Sequence, residues 1–343
     1  MFFTTQHMKK SFLFFLLASV LTNFVAHSQV ESFPDLMEMG VKQSNLGNYA
    51  QAQAAFTKAL ALKPDDAIAH YNRAVTKANL KDNRGAINDF DKSLELNPRY
   101  ADAFSGRGQS KARQDDFKGA LQDYNSCIAL NPTDANTYYL RGVTKTKLEN
   151  FRGALSDFNK SLDITPDNAQ GYSARGVTKQ KLDDYQGSIT DFTKAIEINA
   201  KRPSPWSGRA MSKMKLSDFK AAIVDYSKAL ELMPEDAESL YFRGYCKSQM
   251  EDYQGALTDF DRALGQDPEN AAAYYGRGFA KSKLGNTKQA IEDFTKAVSI
   301  GNIENTKVVF TGSMTKAVLD ELRNNVQERL KMRSEERRVG KEC

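Results

Sequence analysis

The chain has 343 residues, of which 41% are hydrophobic, and its 48 basic and 43 acidic residues give a net charge of +5. This length predicts two domains of ordinary size unless the sequence repeats itself. Without residues 1–28 and 333–343 the balance is 42 basic to 40 acidic residues. So small an excess gives no reason to expect nucleic acid or an anionic membrane as a partner.

The N-terminal segment has the layout of a secretory signal peptide. The basic stretch MKK precedes the apolar run FLFFLLASVL, and the triplet AHS then supplies a small-x-small cleavage site. The apolar run is shorter than the ~20 residues that a membrane-spanning helix needs. We therefore predict that residues 1–28 are removed on export and that no transmembrane span remains. An uncleaved N-terminal anchor is the alternative.

Residues 33–304 divide into eight consecutive segments of 34 residues without an insertion. Such self-similarity at a fixed period overrides the expectation of two ordinary domains. Position numbers used below count from the first residue of each segment. The segments are 33–66, 67–100, 101–134, 135–168, 169–202, 203–236, 237–270 and 271–304.

Each segment has the pattern of a helix pair. Small residues occupy positions 8, 20 and 27, an aromatic residue occupies position 24, and proline closes six of the eight segments. Apolar and small residues recur at three-to-four spacing, which predicts two amphipathic helices. Small side chains let the helices approach closely while the aromatic ring fills the groove, and proline ends the pair. One pair cannot cover its own apolar face, but stacked neighbours can.

At these positions the chain resembles exported bacterial proteins of the tetratricopeptide repeat (TPR) family over residues 33–304. The resemblance implies an all-α fold, an α-solenoid of eight 34-residue helix-turn-helix (TPR) repeats. It also implies a function in binding other proteins or peptides.

After residue 304 the repeat pattern stops. Ser313 could cap a helix over 314–332, in which apolar residues line one face. We predict that residues 305–332 form a C-terminal capping helix, because the open end of a solenoid needs a cover. A helix that binds a partner, or the start of another domain, is the alternative.

The last residues, 333–343, read RSEERRVGKEC and show no apolar periodicity. Back-translated with ordinary codons, they give a sequence that looks like a common short-read sequencing adapter. We interpret them as an assembly artefact. A genuine disordered tail is the alternative.

Three charged positions change together. Segments two to eight carry Arg at position 7, Lys at position 11 and Asp at position 23, whereas the first segment has Met39, Gln43 and Ala55. Because positions 7 and 11 share a helix face, and position 23 adjoins the core aromatic, we predict a repeated inter-helix Arg–Asp salt bridge with Lys as auxiliary donor. The sequence leaves open which segment's Asp each Arg meets, and an anionic-ligand site is the rival interpretation. The residues are Arg73, Asp89, Arg107, Asp123, Arg141, Asp157, Arg175, Asp191, Arg209, Asp225, Arg243, Asp259, Arg277 and Asp293.

In TPR proteins the first helices line a concave groove with positions 2, 5, 9, 12 and 13. By that resemblance the groove here carries aromatic and aliphatic patches beside a basic stripe. Such a surface suits an extended or helical peptide, preferably with acidic residues. The predicted partner-binding residues are Tyr71, Arg113, Tyr139, Lys147, Lys181, Lys215, Tyr241, Tyr245, Tyr275 and Lys283.

Catalytic chemistry is not predicted. The one histidine of residues 29–332, His70, occupies position 4, where most segments place an aromatic, and Cys127 and Cys246 fit small core positions. No Ser-His-Asp set, metal-ligand cluster or glycine-rich phosphate loop stands out in the sequence. The chain is therefore expected to work without catalytic residues, metal or cofactor.

Two functions follow from this interpretation. The first is a non-enzymatic scaffold of the cell envelope, in the periplasm or on the surface of a Gram-negative bacterium, that binds partner peptides or proteins in the groove. The alternative is a dedicated peptide or glycan receptor subunit of a secretion or envelope machine. A scaffold would hold several partners, whereas a receptor would lose all binding when Tyr139 and Lys147 are replaced.

Overall fold

The computed structural model describes residues 31–300, and every helix in that range follows the 34-residue period. Each segment contributes a helix A, which begins at position 1, and a helix B, which spans positions 17–30. Residues 31–300 contain no strand. The predicted signal peptide 1–28, the end of the eighth segment, the capping helix in 305–332 and the tail 333–343 all lie outside the described residues.

The helices belong to two compact units, which are described separately. The first unit ends at Thr133 and the second begins at Asp134. The first contains α1 (Phe33–Asn45), α2 (Tyr49–Leu62), α3 (Ala67–Asn79), α4 (Asn83–Leu96), α5 (Ala101–Ala112) and α6 (Phe117–Leu130). The second contains α7 (Ala135–Lys147), α8 (Phe151–Ile164), α9 (Ala169–Gln180), α10 (Tyr185–Ile198), α11 (Pro203–Lys215), α12 (Phe219–Leu232), α13 (Ala237–Gln249), α14 (Tyr253–Gln266), α15 (Ala271–Lys283) and α16 (Thr287–Ile300).

Inside each unit the helices pack in the order of the chain. Helix A lies against helix B of its own segment, and that helix B lies against the next helix A. Successive A helices also touch one another. The A helices therefore lie side by side, and an all-α helical-repeat solenoid results.

The core depends on the aromatic ring at position 24. In the second unit, Phe192 is 1% exposed and lies between Gly176 of its own segment and Gly208 of the next. A Cβ atom added at Gly176 would lie 3.1 Å from the ring, and one added at Gly208 would lie 2.5 Å from it. The two glycines therefore let neighbouring A helices close on both sides of one ring.

The turn between helix A and helix B has one backbone design throughout. Position 15 adopts a positive φ in all eight segments, with glycine at Gly47 and Gly285 and other residues elsewhere. In the fifth segment the Asp183 amide donates to the Gln180 carbonyl (3.1 Å), and the Asp184 amide donates to the Lys179 carbonyl (2.9 Å). These are the two bonds of the Schellman motif, which satisfies the last carbonyls of helix A. The non-glycine residues at position 15 are Lys81, Asp115, Glu149, Asp183, Ser217 and Glu251.

In segments two to seven, the side chain at position 16 then caps helix B. The Asp184 carboxylate accepts the Gly187 amide at 2.8 Å, and Asp116 accepts the Gly119 amide at 2.9 Å. An N-cap side chain of this kind satisfies one of the unpaired amides that begin every helix. One residue pair therefore ends helix A and starts helix B, which fixes the angle between them.

Candidate functional site

Each Arg at position 7 pairs with the Asp at position 23 of its own segment. In the fifth segment Arg175 donates from Nε to Asp191 Oδ2 at 2.9 Å and from Nη2 to Oδ1 at 2.6 Å. Lys179 Nζ lies 2.9 Å from the same carboxylate, whose side chain is 2% exposed. The same forked pair joins Arg73–Asp89, Arg107–Asp123, Arg141–Asp157, Arg209–Asp225, Arg243–Asp259 and Arg277–Asp293. The ion pair therefore joins helix A to helix B of the same repeat. The sequence had left open which segment supplies the Asp.

The third guanidinium nitrogen reaches the preceding repeat. Arg209 donates from Nη1 to Thr193 Oγ1 at 3.0 Å, and its Cζ atom lies 5.0 Å from the Trp206 ring centroid. Arg107 makes the equivalent bond to Asp91 at 2.6 Å. In Arg107 and Arg209 all three nitrogens are thus bonded within the protein, which favours a structural role over a surface for anionic ligands.

Charge compensation keeps these buried groups ionised. Burial alone would raise the pKa of the Asp89 carboxyl, but the bonds from Arg73 and Lys77 hold that pKa below its usual range. Burial would lower the pKa of the Arg107 guanidinium, but its bonds to Asp123 and Asp91 raise that pKa instead. Asp89 and Arg107 therefore stay charged across the neutral range.

The second unit presents two parallel rows on its A helices. Position 9 supplies an apolar row, in which Val177 is 42% exposed and Tyr245 is 39% exposed. Position 13 supplies a row of exposed lysines one helical turn further on, so both rows lie on one face. We call this the basic–apolar face, and it comprises Val143, Val177, Met211, Tyr245, Phe279, Lys147, Lys181, Lys215 and Lys283.

The four lysines of this face are available to a ligand. None of them has an ion-pair partner among residues 31–300. Lys283 Nζ lies 5.5 Å from the Phe279 ring centroid, so its ammonium rests over an aromatic face. The seventh segment breaks the row, because it has Gln249 at position 13. There Tyr245 packs edge-on against Phe219, with ring centroids 6.3 Å apart.

The predicted tyrosines at position 5 lie deeper than the lysines. Tyr139, Tyr241 and Tyr275 are half-buried, and the Tyr139 ring packs on Phe158 with centroids 5.9 Å apart. Burial raises the pKa of all three hydroxyls. They therefore form the neutral floor of the basic–apolar face rather than projecting from it.

The first unit places its two predicted residues at opposite ends of the A helices. Tyr71 is half-buried in the second turn of α3 and packs on Phe90, with centroids 5.9 Å apart. Arg113 is exposed and donates from Nη1 to the Ala78 carbonyl at 3.2 Å, at the other end of α3. These two residues therefore do not form one site.

The remaining candidates for chemistry are packed into the core. His70 is 9% exposed, and its Nε2 atom lies 2.8 Å from the Pro64 carbonyl. Cys127 and Cys246 are fully buried, and burial raises the pKa of the Cys246 thiol to about 12. Across residues 31–300 no group of three or more His, Cys, Asp or Glu side chains could hold a metal ion. In the same range, every helix is too short or too polar to cross a bilayer.

Family models settle the affiliation of the chain. Tetratricopeptide repeat models match residues 39–82, 76–135, 135–168, 169–202 and 271–300, and a TPR repeat model matches residues 248–285. Together they cover more than half of the sequence. The chain belongs to the tetratricopeptide repeat family. Searching curated protein sequences found no match to this TPR protein.

Several solved structures are similar to this chain at low sequence identity. The C-terminal part of a TPR repeat-containing protein from Cytophaga hutchinsonii has a TM-score of 0.57 at 20% identity, over 70% of this chain and 98% of that one. The APC/C hetero-tetramer Cut9-Hcn1 has a TM-score of 0.55 at 12% identity, and the match covers 81% of this chain and 52% of that one. YrrB, described as a TPR protein with an unusual peptide-binding site, has a TM-score of 0.48 at 21% identity, and the match covers 54% of this chain and 95% of that one.

Proposed function

We propose that this TPR protein is a non-enzymatic scaffold that binds acidic peptide segments on the basic–apolar face of its second unit. The observation that carries the proposal is the pair of parallel rows at positions 9 and 13. An extended peptide could place carboxylates on the lysines and apolar side chains on the neighbouring row. Charge complementarity would set specificity and association rate, while apolar burial would supply affinity.

Positive charge is distributed unevenly along the basic–apolar face, which would orient the bound peptide. Lys147, Lys181 and Lys215 follow one another in consecutive segments, and Gln249 then interrupts the row. Burial raises the pKa of Tyr139, and the charge of Arg202 lies near enough to oppose that rise, so Arg202 adds a further cation to the same region. The acidic part of a ligand therefore belongs opposite segments four to six, and an apolar or aromatic part belongs opposite Tyr245.

A scaffold role also agrees with where the ionisable groups lie. The arginines and aspartates that recur in every segment after the first are engaged with one another, and His70 is packed beside Pro64. TPR repeats generally bind proteins rather than transform substrates. The lysines at position 13 are surface charges without the buried partners that a catalytic lysine requires.

Peptide selection tests the binding proposal. A random peptide library displayed against residues 29–332 should enrich sequences in which Asp or Glu alternates with apolar residues. The variant Lys181→Glu should lose that enrichment, while Lys160→Glu, on helix B of the fourth segment, should keep it. Absence of acidic peptides from the enriched set would contradict the proposal, as would an equal loss of acidic peptides with both variants.

We also propose that the scaffold works in the cell envelope of a Gram-negative bacterium. The support is the sequence pattern before Gln29, a basic stretch followed by an apolar run and a small-x-small site. Expression of the full chain in such a host should yield a periplasmic or surface-exposed protein whose N-terminus is Gln29. A cytoplasmic protein with an intact N-terminal segment would contradict this part of the proposal.

A further inference from the structure

The A helices of the first unit form an apolar cleft. It has a volume of about 630 Å³ and lies against α1 and α3. Val41, Leu46 and Ile68 line it and are 42%, 64% and 56% exposed, respectively. Exposed apolar residues that converge on a concave surface of this size commonly mark a ligand site. The cleft could hold one or two apolar side chains. Its other lining residues are Met37, Glu38, Lys42, Asn45 and Asn72.

Two tyrosine rings continue this surface beyond Ile68. Tyr71 lies one helical turn along α3 from Ile68, so both point to the same face of the helix. The Tyr71 and Tyr100 rings have centroids 4.8 Å apart and planes inclined by 39°. Both rings are half-buried, and both pack against the core around Phe90. The core therefore holds the two rings in place and leaves part of each accessible.

Two carboxylates lie beside the tyrosine pair. Asp66 caps α3 by accepting the Ala69 amide at 2.8 Å, and Asp102 is exposed in the first turn of α5. Burial chiefly raises the pKa of Tyr100, to about 12, and neighbouring Tyr71 and the nearby charges of Asp102 and Asp66 add to the effect. Neither carboxylate has an ion-pair partner among residues 31–300. The tyrosine pair therefore lies in a negative region.

We propose that this surface is a second peptide site, which binds segments that combine an apolar side chain with a neighbouring Arg or Lys. The apolar side chain occupies the cleft lined by Val41, Leu46 and Ile68. The cation lies on the rings of Tyr71 and Tyr100, where the nearby carboxylates balance its charge. The aliphatic stem of the ligand's Arg or Lys side chain crosses Ile68, which borders both the cleft and the tyrosine pair.

This site selects the opposite charge from the basic–apolar face. It uses residues of the first unit only, and the proposal holds whether or not the second unit binds acidic peptides. A chain with both sites could hold two partners of different charge, which is what a scaffold needs. Charge selection would also keep each partner off the wrong site, since like charges repel.

Fluorescence anisotropy on the full chain tests the proposal. The probe is a fluorescein-labelled octapeptide, Gly-Leu-Gly-Arg-Gly-Leu-Gly-Arg, and its reference carries Gln in place of Arg. The arginine probe should bind at least fivefold more tightly than the glutamine probe. Replacement Asp102→Asn should weaken the arginine probe about fivefold and leave the glutamine probe unchanged, since a charge-assisted contact is lost.

Matched variants distinguish this site from other surfaces. Asp115→Asn removes an exposed carboxylate from the same repeat and should not change binding. Tyr100→Leu keeps an apolar side chain at a position that makes no side-chain cap, and it should weaken the arginine probe. Lys181→Glu, in the second unit, should not weaken it. Equal effects of Asp102→Asn and Asp115→Asn, or full binding by Tyr100→Leu, would overturn the proposal.

Discussion

Arg209 and Asp225 are joined by two parallel hydrogen bonds of 2.8 Å, from Nε and Nη2 of the arginine to Oδ2 and Oδ1 of the carboxylate. Lys213 adds a third bond of 2.7 Å to a side chain that is only 2% exposed. Such a group is stable when paired, but it leaves costly charges behind when one partner is removed. The Arg–Asp pairs are therefore good positions at which to test what holds helix A and helix B of a repeat together.

Replacement Asp225→Asn should destabilise the protein without weakening peptide binding. The amide cannot balance Arg209 and Lys213, and we expect a loss of about 3 kcal/mol in the free energy of unfolding. Urea denaturation followed by circular dichroism measures it. Glu231→Gln, at an exposed ion pair, is the control and should change stability by less than about 0.5 kcal/mol. Equal unfolding midpoints for the two variants would contradict the structural role.

The stabilisation by Asp89 should depend on acidity. Its pKa in the folded protein is held below the ordinary value by Arg73 and Lys77. A group of this kind contributes its full stability above the pKa of the unfolded state, about 4, and loses it as the pH falls toward the folded pKa. The difference in unfolding free energy between wild type and Asp89→Asn should therefore be constant near pH 7 and narrow below about pH 4. A difference in unfolding free energy that stays constant down to pH 3 would contradict this coupling between protonation and stability.

Glycine at position 15 should stabilise the turn between helices A and B. Glu149 adopts φ 59°, a conformation that costs a non-glycine residue about 1 kcal/mol. Glu149→Gly should raise the free energy of unfolding by about 0.5 kcal/mol once the greater freedom of glycine in the unfolded chain is counted. Thermal denaturation measures the change. Glu149→Gln keeps the strained backbone and should give no gain, and a similar rise in both variants would refute the explanation.

Two glycines in helices should respond to alanine in opposite directions. A Cβ atom at Gly208 would lie 2.5 Å from the Phe192 ring, whereas one at Gly265 would have no neighbour within 4 Å. Gly208→Ala should therefore cost about 1–2 kcal/mol through overpacking. Gly265→Ala should gain up to about 1 kcal/mol from its helix propensity. Chemical denaturation of the two variants measures both changes in the free energy of unfolding. If Gly265→Ala also lowered stability, contact with the Phe192 ring would not explain the effect of Gly208→Ala.

The sequence predicted most of the fold because a 34-residue period fixes helix pairing and stacking at once. The small residue at position 8 and the ring at position 24 do meet, as Gly176 and Phe192 show. Family models confirm the TPR identity, and a solved structure with a TM-score of 0.57 shares the fold. The Arg–Asp pairing was a prediction from co-occurring positions, but its third bond, as from Arg209 to Thr193, depends on how neighbouring helices align.

Two features could not be predicted from the pattern. The acidic pair at Asp183 and Asp184 suggests only a solvated turn, yet one residue takes a left-handed backbone and the other caps helix B. Such roles depend on backbone geometry that charge patterning does not encode. Likewise, Tyr139 lies on the expected face, but its burial follows from contact with Phe158 of helix B. The partner-binding role of these residues stays a prediction.

The most direct test of the proposed function compares two lysines by peptide affinity. An acidic peptide from the selection is titrated by fluorescence anisotropy against wild type, Lys181→Glu and Lys160→Glu. Both positions are exposed in the second unit, but only Lys181 lies on the basic–apolar face. We expect Lys181→Glu to weaken binding about tenfold, a change of about 1.4 kcal/mol, and Lys160→Glu to leave it unchanged. Equal affinities for all three proteins would contradict the basic–apolar face as the binding site.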